Sequence, residues 1–459
     1  MEATFEQRKQ ELIDECTVAP QVLDRVIPRL ERFMEPFVET LVRVEQVDHA
    51  HTFVQGLLSD LENKNVESIA YRFGQDRMPL QWFVGMSDWD DEPLREELVR
   101  QVGQQLGEDD GVLVFDPSAF PKSGKDSVGV ARQWCGRLGK VDNCQVAVYL
   151  GYVSSKEHAL VDMRLYLPKE WTKDKKRRTK AGIPKDVRYR TRHQLCFEML
   201  DQHGDKLPHS WVTGDDEMGR PYSFRRGLDR RGERYLLAVP SNTLIRDLEV
   251  DEPPYSGRGR RPKRPWQRVD RWLASLPNGA WTTIDVRDGS KGPLVIEIVK
   301  RRVVGRNHRR QEGHDEVLVA IRYRDRENRR VVKTDYYLSN ASAEVELAEF
   351  ARVAKAEHRI EECIQRAKSE AGLADYEVRN WKGWHHHQTL SLLATWFLVT
   401  EARRGKKMDS GDHSATDPRS DIRHPARRTR MRYTVSNPTR TNTTTGTQRT
   451  GAPLPLEAA

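Results

Sequence analysis

Apolar and polar positions change their period near residue 110. Before it, spacings such as Phe53-Val54-x-x-Leu57-Leu58 and Leu94-x-x-x-Leu98-Val99-x-x-Val102 put apolar side chains on one face of a helix. Residues 1–108 are therefore predicted to be helical. From Gly111 short apolar runs take over. Val112–Phe115 reads as a buried strand ending at Asp116-Pro117, Cys144–Leu150 as a second, and Ala159–Leu167 as a third closed by Pro168. A helix follows over about Arg190–Gln202, then a strand at Trp211–Thr213 running into Gly214-Asp215-Asp216. A helix over Tyr222–Arg231 and a fifth strand at Tyr235–Val239 complete the series.

Residues 241–345 interrupt this alternation. They open with an Arg/Pro/Gly-rich stretch and continue with β-patterned runs at Leu294–Val304 and Glu316–Tyr323. Long helices are predicted over Ala343–Glu370 and Gly383–Thr400. Three consecutive strands, helix, strand, helix, strand, insertion, helix is the order of an α/β protein with a ribonuclease-H-like mixed sheet and a β-rich insertion before its last catalytic helix. The expected organisation is a helical N-terminal domain (1–108), a catalytic domain (109–400) with its insertion at about 241–345, and a basic tail (401–459). The tail is rich in Ser, Thr, Pro and Arg and reads as disordered.

Composition removes whole classes of function. Of 459 residues, 37% are apolar and 32% charged, and the longest apolar run, near Leu390–Val399, is far short of the ~20 residues of a membrane span. Five cysteines without a C-x-x-C pair argue against structural zinc and for a reducing cytoplasm. Net charge is +8, of which the stretch from Glu401 onward carries +6. Local clusters matter more. Thr172–Arg192 holds ten basic and two acidic residues, Ser256–Arg271 seven and one, and Lys300–Arg310 is a third cluster. Lys/Arg concentrated on a nearly neutral body favours a phosphate backbone as partner.

Two aspartates stand at predicted strand ends. Asp116 follows the first strand and Asp215 the fourth. If those strands are neighbours, the carboxylates repel, and a divalent cation relieves the repulsion. A third carboxylate from the long helix (Glu357, Glu361, Glu362 or Glu370) completes an oxygen-rich site suited to Mg²⁺ or Mn²⁺. Two such ions support in-line displacement at phosphorus. The same residues also read as structure: Asp116 as a turn residue before Pro117, Asp215-Asp216 as a helix N-cap.

The block Gly124–Val148, containing Ala131-Arg132-Gln133-Trp134-Cys135-Gly136-Arg137-Leu138-Gly139-Lys140, resembles the signature of bacterial insertion-sequence DDE transposases. The likeness is to the insertion-sequence-4 superfamily, and within it to the branch named for insertion sequence 701. Gly214-Asp215-Asp216-Glu217-Met218-Gly219 resembles the second-aspartate motif, and Tyr376–His385 is similar to the same branch. The resemblance covers roughly residues 20–400. It implies a ribonuclease-H-like core, an acidic triad with two Mg²⁺ (or Mn²⁺) ions, and strand cleavage and transfer at element ends. Double-stranded DNA is the implied partner, a dimer the synaptic form, and the bacterial nucleoid the setting. By position the triad falls on Asp116, Asp215 and Glu361, with Asp216 as runner-up for the second aspartate and Glu362 and Glu377 as weaker rivals for the glutamate. Lys368, seven residues after Glu361, matches the phosphate-facing lysine of the pattern. The pattern's Arg and Tyr would fall on Glu357 and Ala354 and do not match, leaving Arg352 or Arg359 as substitutes.

Other features are weighed against that frame. Gly257–Lys263 resembles an AT-hook interrupted by an extra Arg, and equally a flexible basic linker. His385-His386-His387 reads as part of an apolar helix rather than a metal site, and Trp381 and Trp384 as core residues rather than base-stacking platforms. Codons exist for Met408–Ile422 that, shifted by one base, continue as this branch does after its Lys-Lys, so a frameshifted tail is expected. Two rival functions stand beside the transposase: a Mg²⁺-dependent nuclease without strand transfer, and a DNA-binding relic or repressor.

Overall fold

Among the described residues before 110, helical spacing is realised as five helices: α1 (Val26–Val38), α2 (Val44–Leu57), α3 (Val66–Arg72), α4 (Arg77–Gly85) and α5 (Glu92–Leu106). This computed structural model describes residues 25–409, apart from 290, 291, 308, 310 and 326–329. The sequence beyond Asp409, which holds most of the basic tail (401–459) and of its suspected frameshift, lies outside the described residues, as do residues 1–24; the tail's first residues, 401–409, are helical rather than disordered. Asn65 and Asp76 accept the backbone N–H of Ser68 and Met78 at the starts of α3 and α4, as short polar side chains do at N-caps. The apolar stripe of α5 (Leu94, Leu98, Val99, Val102) is fully buried in a core that runs without a break from Leu30 to Phe397.

The sheet begins with β1 (Val112–Pro121), followed by β2 (Ala131–Cys135), β3 (Lys140–Val153) and β4 (His158–Leu165). Helices α6 (Lys169–Lys173), α7 (Lys175–Lys180) and α8 (Arg192–His203) lead to β5 (Trp211–Gly214). Then come α9 (Asp216–Gly219), α10 (Tyr222–Arg230) and β6 (Tyr235–Ala238). β1 pairs antiparallel with β3, and β3 with β4, while β5 runs parallel to both β1 and β6. Beyond β6 the segment read as an insertion supplies β7 (Leu244–Asp247), β8 (Gln267–Arg268), α11 (Val269–Ala274), β9 (Thr282–Gly289), β10 (Gly292–Arg306), β11 (Glu312–Arg324) and β12 (Val331–Ser339). β12 pairs antiparallel with β6, so one mixed sheet continues in the order β2-β3-β1-β5-β6-β12-β11-β10-β7-β8. Val269 and Trp272 of α11 close a second apolar cluster with Ile245, Val299, Val303 and Leu338.

Several sequence expectations are corrected. β1 does not end at Asp116-Pro117 but runs on to Pro121, because β3 continues the ladder as far as Pro121↔Cys144. Pro117 is accommodated because the last β1–β5 pair is Phe115↔Gly214, so one side of the strand is open there. Asp116 is therefore a strand residue, not a turn residue. β2 was not anticipated: Arg132 and Gln133 hide it, and as the terminal strand of the sheet it has little apolar face to show. The first of the two long helices starts at Leu347 rather than Ala343, after a turn at Ser342–Val345, and the second continues past Thr400.

Those two helices, α12 (Leu347–Glu370) and α13 (Trp381–Asp409), cover the sheet. α12 crosses β1, β3, β4 and β5. Its approach depends on Gly151 of β3, where an added Cβ would lie 2.4 Å from Ile360 Cδ1. α13 lies against β4 and the N-terminal helices. Asp162 of β4, fully buried, accepts from Arg95 of α5 (2.6 Å), Arg164 (2.5 Å) and His203 of α8 (3.0 Å), which ties both helices to the sheet. Burying a carboxylate requires such partners.

Candidate active site

Register places the two aspartates. Phe115 of β1 is opposite Gly214 of β5 in a parallel pair, so the next residues, Asp116 and Asp215, emerge side by side. Neighbouring strands are ~4.8 Å apart. The end of a parallel pair, where the chain leaves β5 for a helix, is where α/β sheets bind ligands. Asp215 also caps α9, its Oδ1 accepting Met218 N–H at 3.1 Å, so the capping role and the site role fall on one side chain. The turn beyond is tight: a Cβ on Gly219 would lie 1.8 Å from Ala238 O, so the motif's glycine is required by the backbone of β6.

Both carboxyls resist ionisation. Burial, then the charges of Asp215 and Glu361, pushes Asp116 up to about 8. Burial, then Glu217, pushes Asp215 up to about 7. Glu357 on α12 is likewise raised to about 8 by burial and then by Asp215 and Asp116. It thus faces the pair from one helical turn before Glu361. The pattern-based reading had passed it over as a mismatch, although spacing alone offered it as a candidate.

The aspartates open into a cleft of about 940 Å³, also lined by Glu361 and Lys368. Lys368 donates to Ser118 Oγ at 2.7 Å and lies 5.0 Å from the Phe120 ring. Asp116, Ser118 and Phe120 alternate on β1 and so share the face turned to α12. Burial lowers the pKa of Lys368, opposed by the charge of Asp116. Glu361 is less engaged: its side chain is 74% exposed and stands 3.5 Å from His358. Among the described residues, no three carboxylate, imidazole or thiolate groups are gathered as a metal-binding cluster. Asp116 and Asp215 fit a cation by chemistry, since they are mutually repelling and half-desolvated. Glu361 shares their cleft without closing on them.

Of the rivals, Asp216 also lines the cleft and is paired with Arg220 (2.8 Å), Glu362 stands 3.5 Å from His358, and Glu377 accepts from Asn65 (3.1 Å). Neither substitute arginine reaches the cleft: Arg352 bonds Glu349 (2.7 Å) and Asp110 O, and Arg359 donates to Ser154 O. The three histidines are structural. His385 meets Trp381 O, His386 meets Val84 O and Trp89 O, and His387 meets Gly372 O. Trp384 is buried, as expected. Sequence reasoning missed Arg192, Glu217, Arg137 and Trp134, all of which line the cleft. Glu217 lies two residues past Asp215, a spacing that offered a hint. Arg192 was lost among the other charges of its cluster.

A family model described as "DDE superfamily endonuclease" matches residues 36–293. The chain belongs to that family. The matched span contains Asp116 and Asp215 and ends before α12. Membership implies a ribonuclease-H-like core, in line with the mixed, mostly antiparallel open sheet. The chain is also similar to a curated protein of Microchaete diplosiphon, the "Probable transposase for insertion sequence element IS701". The two are 28% identical over 244 residues, 52% of this chain and 59% of that protein. The match thus spans under two-thirds of the relative's own length. Among the described residues, no helix is long and apolar enough to cross a membrane.

Proposed function

We propose that this chain is a DNA transposase that cuts strands at the ends of an insertion sequence and joins them to target DNA. One observation carries the reading: the parallel β1–β5 register sets Asp116 beside Asp215 at the floor of a cleft that also holds Glu361 and Lys368. Asp116, Asp215 and Glu361 would hold Mg²⁺ or Mn²⁺, one ion or two. When bound, such ions supply Lewis acidity for in-line displacement at phosphorus. The chain's own contribution is placement. β1 and β5 fix the two aspartates, and α12 brings Glu361 and Lys368 to the same cleft, two helical turns apart. Lys368 offers its ammonium to a phosphate oxygen, and Ser118 holds that ammonium in place.

The same proposal covers the division of labour. α1–α5 would engage the element's ends, residues 109–400 would cleave, and a dimer would hold the two ends together. The basic stretches Thr172–Arg192 and Ser256–Arg271, most of whose residues are exposed, support DNA as the partner.

The test uses DNA carrying the inverted repeats that flank the gene, a target plasmid, and Mg²⁺. Wild type is expected to nick at the repeat and produce joined product, while Asp116→Asn and Asp215→Asn bind the same DNA without cutting it. Cleavage without joined product would reduce the activity to a nuclease. Cutting by Asp116→Asn at the wild-type rate would remove the proposal.

A further inference from the structure

We infer that Arg192 is the substrate-binding residue that grips a non-bridging oxygen of the DNA phosphate at the point of cleavage. The inference rests on the DNA-cleaving reading above and assigns the phosphate subsite of that same cleft. A cleft floored by carboxylates has to draw in a polyanion, so it needs cations of its own. Four line it: Arg137, Arg192, Arg220 and Lys368. Arg220 is tied to Asp216 and its side chain is 65% exposed; Arg137 is exposed on the β2–β3 turn. Lys368 reaches over β1 from α12 and is a single point charge.

Arg192 differs from all three. Its side chain is only 15% exposed, and it is held from three directions. Nη1 donates to both oxygens of Glu217 at 2.6 Å, Nη2 donates to Gln133 Oε1 at 3.2 Å, and the guanidinium lies 4.9 Å from the Tyr166 ring. A guanidinium has five N–H donors, and these bonds occupy three. Its Nε–H and second Nη2–H have no acceptor among the described residues, although the group lines the cleft. A planar fork locked through its Nη1 end and open along its Nε–Nη2 edge is pre-organised for a phosphate oxygen pair. Glu217, two residues past Asp215, both anchors the fork and is neutralised by it, which removes one negative charge from the path of the incoming phosphate.

The test couples a side chain to one phosphate. The cleavage position is mapped with wild type. A duplex end is then made with an uncharged methylphosphonate at that phosphate, and binding is followed by fluorescence anisotropy in Ca²⁺ with the full-length protein. Arg192→Ala is expected to weaken binding of the native end about tenfold, as loss of one charge-assisted contact does. The salt slope should fall by about one. The methylphosphonate should weaken wild type by a similar factor and leave Arg192→Ala unchanged. Arg192→Lys, which keeps the charge and loses the fork, should fall between, and it serves if the alanine variant is unstable by thermal melting. Losses that multiply between protein and DNA changes would overturn the inference, as would native binding by both variants at wild-type strength. If wild type itself binds no end, the transposase reading fails and this inference with it; if wild type binds and cuts but shows no coupling, this inference alone fails.

Discussion

Replacing Asp116 by Asn should stabilise the protein, and increasingly so as pH rises. The neutral carboxyl is the favoured form in the fold, with a pKa raised from 3.8 to about 8. Between those values the unfolded chain has released the proton that the folded chain still holds, so stability falls with pH across that window. Below pH 3.8 nothing is lost; by pH 8 the full difference has been spent. At 1.36 kcal/mol per pH unit, wild type loses on the order of 4 kcal/mol between pH 5 and pH 8 through this group alone. Asn cannot ionise and escapes that loss, while Asp215, raised to about 7, contributes the same trend to both proteins. Thermal unfolding of wild type and Asp116→Asn at pH 5, 6.5 and 8, in EDTA, should show the variant melting several degrees above wild type at pH 8 and nearer to it at pH 5. Millimolar Mg²⁺ should raise wild type at pH 8 by mass action and leave the variant unmoved. A variant no more stable than wild type at pH 8, or a gap that narrows as pH rises, would refute the electrostatic account of the site.

The other expectations concern what holds the site in place. Gly151→Ala puts a methyl against Ile360 and should cost about 1–3 kcal/mol by chemical denaturation together with most of the cleavage, with partial recovery of both in Gly151→Ala/Ile360→Val. Lys368→Gln removes the cation that eases ionisation of Asp116, so the pH at which Mn²⁺ binding is half complete should move upward in a metal titration monitored by electron paramagnetic resonance. Arg225→Met strands the buried Glu316 carboxylate and should cost about 3–5 kcal/mol, most of it returned by Arg225→Met/Glu316→Leu.

The strand order was legible because the buried strands are short and apolar and the helix between them has its own period. The start of β1 at Val112 and the whole of β5 could be located to within a residue, but β1 runs on to Pro121, so Asp116 lies inside its strand and only Asp215 follows the end of one. The structure's contribution is pairing. Nothing in the spacing says that β5 lies beside β1 in parallel with Phe115 opposite Gly214, and it is this register that makes two distant aspartates neighbours. β2 escaped because an edge strand with Arg132 and Gln133 has no apolar period to read. Arg192 escaped for a different reason: in a run of ten basic residues, sequence cannot tell the one turned into a cleft from those turned to solvent. Glu361 was chosen by family pattern and lines the same cleft as the aspartates, but its side-chain direction belongs to packing, which sequence does not specify.

The segment between β6 and α12 bears on the aspartates more directly than its place in the sequence suggests. Arg225 of α10 donates to Glu316 of β11 at 2.7 Å and to Gly219 O at 2.5 Å, and Tyr235 of β6 donates to the same glutamate at 2.7 Å. One buried guanidinium therefore joins the turn that follows Asp215 to a strand a hundred residues later. β12 then continues the ladder from β6, and Lys300 of β10 reaches the carbonyls of Ala343 and Val345 just before α12 begins. Both the second aspartate and the helix carrying Glu361 and Lys368 are thus referenced to this β-rich segment. A ligand that shifts β10–β12 would move both walls of the cleft through fixed contacts. Removing the segment would take away the partners of Arg225 and leave a buried charge uncompensated beside the active turn, so its deletion should disturb the site before it disturbs the rest of the sheet.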